Sequence, residues 1–176
     1  MMADCVIVLK EWAGKASATT IFDSTVDEFT HDGLFDKIRG KPNIALVAMT
    51  TDSDVFGGFY SVAVTDQEGM FIDRSIFAFS FESHGRCMTP QRFVANKGMK
   101  RYVQVRFAHD WIDGFVRMGV ECNGTFFLGN EKSMSFCCKM SRAFEGLENT
   151  TLTGKNGNWK KGPFHHCTRL IAVQLT

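Results

Sequence analysis

At 176 residues, with 44% hydrophobic side chains and 17 phenylalanines against 2 tyrosines, the chain has the apolar area for one packed core and too much of it for a disordered segment. A formal net charge of +1 removes any global electrostatic case for nucleic acid or anionic membrane surfaces and leaves only local basic clusters to consider. No stretch approaches about twenty uninterrupted apolar residues, so no membrane insertion is expected, and residues 1–176 read as a single domain.

The first residues place Asp4 where a secretory signal needs positive charge, and the apolar run Val6–Leu9 is too short for the signal core. The expectation is an intracellular, cytoplasmic protein, with the nucleus as a second location, and not a secreted one. In such a compartment the six cysteines are expected as thiols, and Asn123-Gly124-Thr125 and Asn149-Thr150-Thr151 as chance matches to a glycosylation signal.

In chain order, Val6–Leu9 and Thr20–Phe22 read as short strands around the small-residue loop 13–18. Thr30 is a helix cap, Leu34, Phe35 and Ile38 share one helical face, and Gly40 and Pro42 end the segment. Ile44–Met49 is apolar throughout, the signature of a strand covered on both sides, and the polar turn 51–54 returns the chain as a hairpin through Val55-Phe56-Gly57-Gly58-Phe59-Tyr60 towards Val64. In Ser75–Phe81 the rings of Phe77, Phe79 and Phe81 share one face, which is expected to point inwards, with Gly57 and Gly58 leaving room for them.

Alternation over Tyr102–Phe107 and Val116–Cys122 predicts two more strands, Asn123-Gly124 a tight hairpin into 125–128, and Met134, Phe136, Cys138 and Met140 a further strand. A polar loop over 145–162 leads to strand-like Phe164–Cys167 and Leu170–Leu175. Many short strands with few helices predict a mostly β fold, a two-sheet antiparallel β-sandwich with one or two flanking helices.

The order Met49-Thr50, acidic turn, Val55–Tyr60, Asp73, Ile76–Ser80, and then Phe164 leading to Leu170–Leu175, resembles the TLDc domain family, closely over about residues 20–82 and loosely beyond. The resemblance implies a β-sandwich flanked by helices, a link to oxidative-stress resistance and, in several relatives, interaction with the vacuolar proton pump. It brings no catalytic triad, metal or cofactor. Where relatives often carry a glutamate in the closing strand this chain has Ala172, so no role is carried over to that position.

Beside the resemblance, the residues offer several chemistries. Asp52-Ser53-Asp54 starts like a calcium loop, but Phe56 and Ala63 occupy ligand positions, and a hairpin turn is the better reading. His165 and Cys167 share a strand face without the paired cysteines a zinc site needs. A nucleophilic cysteine would need a positioned base; Cys137 and Cys167 are instead singled out as redox-sensitive thiols. Two basic stretches, Lys97, Lys100, Arg101 and Arg106 around Tyr102, and Lys155, Trp159, Lys160 and Lys161, combine cations with aromatics that contact phosphates and stack bases. The expectation is a non-catalytic, TLDc-like protein that binds a protein partner in the oxidative-stress response. The alternatives are a DNA-binding transcriptional regulator using the two basic stretches, a pump-docking module and a thiol-dependent enzyme.

Overall fold

The computed structural model describes residues 2–66, 69–87, 90–97, 101–104, 107–109, 112–114, 116–120, 124–129, 135–157 and 162–176. The elements in order are α1 (Met2–Ala13), β1 (Ala18–Asp23), α2 (His31–Ile38), β2 (Ile44–Thr50), β3 (Val55–Tyr60), β4 (Phe71–Ile72), β5 (Phe77–Glu82), β6 (Gln91–Val94), β7 (Arg101–Gln104), β8 (Phe107–His109), β9 (Ile112–Gly114), β10 (Val116–Val120), β11 (Gly124–Leu128), β12 (Phe136–Cys138), α3 (Met140–Ala143) and β13 (Cys167–Leu175). They form a six-stranded sheet, β1-β13-β2-β3-β5-β6, a five-stranded sheet, β12-β11-β10-β7-β4, and the small β8–β9 ribbon, with every pairing antiparallel.

Period-2 alternation along the central strands separates two apolar clusters. Ile44, Leu46 and Ala48 of β2, with Phe56 and Tyr60 of β3, face the second sheet and pack with Val103, Leu128, Cys137 and the α2 residues Leu34, Phe35 and Ile38. Ala45 and Val47, with Val55 and Phe59, face the opposite way, onto α1. The central strands of the six-stranded sheet are thus buried on both faces, which is why β2 reads as an unbroken apolar run.

Residues 6–9, expected as a strand, lie in α1. Their β-branched run favours extended backbone locally, but Cys5, Val8, Leu9 and Trp12 recur at helical spacing and lie on the sheet, while Ile7 is 60% exposed. Asp4 in the first turn and Lys10 in the last suit the helix dipole. Helix α2 follows its signals: the Thr30 hydroxyl accepts from the Gly33 N–H at 3.1 Å, and Gly40, at φ +70, lets the chain leave.

The phenylalanines of β5 point inwards as expected, but into the core beneath α1 and not between the two sheets. Phe77, Phe79 and Phe81 face α1, where the Trp12 indole stacks on Phe81 (5.7 Å, 7°) and meets Phe77 edge-on at 6.4 Å. Ala78 faces the sandwich instead, since side chains alternate and the rings occupy the other side. By the same alternation only Gly57 lies on the ring side; Gly58 points towards the second sheet. Two other expectations shift at their ends: β3 stops at Tyr60, short of Val64, and Met140 begins α3 rather than continuing β12. The tight turn expected at Asn123-Gly124 is displaced: Gly124 already pairs with Val120 at the start of β11, and β10 and β11 run antiparallel from there to Val116↔Leu128, with Asn123 outside the described residues.

A Cβ on Gly57 would run into the Leu46 carbonyl oxygen and come within 2.8 Å of the Phe79 ring. Backbone cannot yield as a flexible side chain does, so Gly57→Ala should cost about 1–3 kcal/mol through overpacking. Urea unfolding at unchanged m-value is the measurement, and an unshifted midpoint would contradict this packing.

Candidate functional site: an arginine-lined cleft and a closed polar cluster

The register places two polar regions at opposite ends of the six-stranded sheet. Strand β5 pairs with β3 from Phe77↔Phe59 to Glu82↔Val55, and the β2–β3 turn adjoins the Glu82 end. At the Phe77 end a cleft of about 300 Å³ opens on the α1 side, with Arg74, Arg92 and Arg101 in its lining beside Trp12, Ser75 and Phe77.

Each arginine reaches the cleft from a different element. Arg74 follows β4 in a turn built on Asp73, which is only 2% exposed. The Asp73 carboxylate accepts from the Ser61 hydroxyl at 2.9 Å, the Ser75 N–H at 2.8 Å and the Ser61 N–H, and its own N–H donates to the Arg101 carbonyl at 3.0 Å. Arg92 stands on β6 opposite Phe79, its guanidinium 5.5 Å from the Phe77 ring centroid and its Nη1 donating to the Trp12 carbonyl at 2.7 Å. It thereby satisfies one of the last open carbonyls of α1. Arg101 opens β7 and donates to the carbonyls of Arg74 (2.6 Å) and Asn96 (3.3 Å). The Arg74 side chain is exposed and has no hydrogen bond or ion pair among the described residues. Beneath the same corner lies the Tyr60 phenol, buried without a partner among the described residues and pushed above its ordinary pKa by burial first and by the Asp73 charge second.

At the other end, acids and bases cancel. Asp54, 1% exposed, accepts from Arg86 Nη2 and pairs with His84 Nδ1 at 3.0 Å, and Arg86 also donates to the carbonyls of Thr151 (3.1 Å) and Leu152 (3.3 Å). Asp52 meets Lys155 at 2.7 Å, and that contact holds its carboxyl below the usual range. The two turn carboxylates therefore carry cationic side chains as partners.

His165 lies beside this cluster, 1% exposed, with its ring edge-on to Phe56 at 5.5 Å and neither nitrogen bonded among the described residues. Burial, helped by Lys155 and His166, pulls its pKa down to about 4 from 6.5. Cys167 is fully buried, its Sγ donating to the Arg169 carbonyl at 3.3 Å, and burial raises its thiol to about 12. Cys137 is 1% exposed within the inter-sheet core. A sensing thiol at either position needs solvent access and thiolate character; the structure gives Cys167 neither, and Cys137 lacks the access.

Of the basic stretches, Lys97 is exposed after β6, Arg101 lines the cleft and Lys155 is in its ion pair. Lys100, Arg106, Trp159, Lys160 and Lys161 lie outside the described residues. Among the described members, Arg101 and Lys155 sit at opposite ends of the sheet and form no common face. Sequence reading missed Arg74 and Arg92, which stand alone in polar or alternating contexts; the only signal was Asp73 beside Arg74, an acid that builds a local turn.

Because the folded His165 has a pKa below the unfolded value, its contribution to stability is fully present above about pH 6.5 and is lost as pH falls towards 4. The full loss is on the order of 3 kcal/mol. His165→Leu should flatten the melting temperature between pH 6.5 and 4 relative to the parent; parallel curves would refute the buried neutral imidazole.

No curated protein matches the chain. The TLDc domain model matches residues 6–159, a span running from α1 past both polar regions and most of the sandwich. With that match over most of its length, on a fold whose two sheets, acidic hairpin turn and buried Asp73 stand where the motif order placed them, the chain belongs to the TLDc domain family.

Proposed function

We propose that this TLDc domain is a non-catalytic binding protein that engages a protein partner in the oxidative-stress response and acts in the cytoplasm. The observation that supports it best is where the described reactive groups are spent. Asp54, Arg86 and His84 tie three loops together, Asp73 holds a turn, and Cys5, Cys87, Cys137 and Cys167 are buried, with the thiols of Cys5, Cys87 and Cys167 raised by desolvation. Such groups hold a scaffold rigid, and a rigid scaffold suits recognition by surface and not by a reactive centre. The stress association comes from the family, and the vacuolar proton pump is a partner of the kind the family offers.

Affinity capture with the tagged chain, from extract treated with nuclease, should retain the same protein partner as untreated extract. Loss of all captured material on nuclease treatment would instead support the DNA-binding alternative. In cells, removal of the chain should lower survival after peroxide exposure and its return should restore survival, also when Cys137 and Cys167 are both serine. Equal survival with and without the chain removes the stress role, and failure of the double serine variant alone, with folding intact, brings back the thiol reading.

A further inference from the structure

The cleft between Trp12, Phe77 and β7 gathers three arginines, whereas other described cations that donate to backbone carbonyls, such as Lys10 and Lys41, do so singly. Arg86, Arg169, Lys37 and Lys155 each meet an aspartate. In the cleft, Arg92 and Arg101 donate to backbone carbonyls, Arg74 donates to nothing among the described residues, and no aspartate or glutamate is among the described lining residues. Three positive charges thus share one concavity without a counter-charge among the described residues of its wall.

The guanidinium is the donor that matches oxyanions two bonds at a time. A single carboxylate offers one negative charge and two oxygens, which one arginine fork can saturate. A phosphate monoester offers close to two charges and three terminal oxygens, and so can take donors from several forks at once. The volume, about 300 Å³, lies at the small end of ligand sites and admits a phosphate with a modest organic body. Beside the arginines, the Phe77 ring and the half-exposed Val94 give that body apolar wall, and Ser75 on the rim carries a hydroxyl that can donate. The cleft is also held in shape before any ligand arrives. Asp73 fixes the turn that carries Arg74, and Arg92 is braced between the Phe77 ring and the end of α1.

We propose that this cleft is a binding site for a phosphate monoester, held by the guanidinium groups of Arg74, Arg92 and Arg101. The ester comes either from a small soluble molecule or from a lipid headgroup, and the chemistry of recognition is the same. This inference stands apart from the protein-partner reading above.

Arg74 is the residue to change, because its side chain is exposed and makes no hydrogen bond or ion pair among the described residues, whereas truncating Arg92 would also uncap α1. Calorimetric titration of the full chain with phenyl phosphate should show binding about tenfold or more tighter than with benzoate. Arg74→Glu should abolish it at unchanged melting temperature, and Arg74→Lys, which keeps the charge but not the fork, should fall between. In a second arm, phosphatidylcholine vesicles carrying a phosphatidylinositol monophosphate are tested by flotation with both proteins. Vesicle binding lost in Arg74→Glu and displaced by phenyl phosphate identifies a lipid headgroup as the source; phenyl phosphate binding without vesicle binding identifies a soluble ester. Benzoate binding as tightly as phenyl phosphate, or binding in both arms that Arg74→Glu leaves unchanged, or no binding in either arm, overturns the proposal.

Discussion

The constraint on which the rest of the molecule depends is that the central strands of the six-stranded sheet are apolar on both faces. One face is covered by the second sheet and α2, and the other would be left in water if α1 did not lie across it. A row of phenylalanine rings on β5 and β3 is far more apolar surface than a monomer leaves exposed, so the helix that carries Cys5, Leu9 and Trp12 is part of the core rather than a flanking ornament. Gly57 belongs to the same constraint, since the Phe79 ring and the β2 carbonyl occupy the space its side chain would fill.

The cleft follows from where that helix ends. At Ala13 the covering stops, and the last turn presents the Trp12 ring to the phenylalanines and its carbonyl to Arg92. The strands that continue past this point belong to both sheets: β6 to the six-stranded sheet, β4 and β7 to the other. Basic side chains from three elements thus meet at a corner that no single element defines. The opposite end of the sheet has the reverse character. There Asp54 is almost wholly buried, and a buried charge is tolerable only when paired and hydrogen-bonded. Arg86 and His84 supply that pairing, and Arg86 binds the 151–152 carbonyls in the same stroke. The bidentate contact of Arg169 with Asp23 does the same for the β1–β13 edge and holds the Asp23 carboxyl down near 2.

Much of this was legible in the residues. The Thr30 cap with Leu34, Phe35 and Ile38, the unbroken run of β2 and the alternation in β5 are local patterns, and local patterns are what backbone sterics and solvent exclusion impose directly. The motif order that pointed to the TLDc family is of this kind too. The mostly β class, the central hairpin and the family can therefore be read from the residues alone. Tertiary structure decided what depends on a partner distant in the chain. It made residues 6–9 helical although their branched side chains favour a strand, because only a helix lays Cys5, Leu9 and Trp12 together on the sheet. It turned the β5 rings away from the sandwich, since period-2 alternation specifies that two faces exist but not which one meets which layer. It placed β13 between β1 and β2, buried Cys137 and Cys167, and brought Arg74, Arg92 and Arg101 to one cleft from positions up to 27 residues apart. No local pattern marks such a convergence, because isolated arginines cost nothing on separate strands and acquire a shared role only when two sheets close on each other.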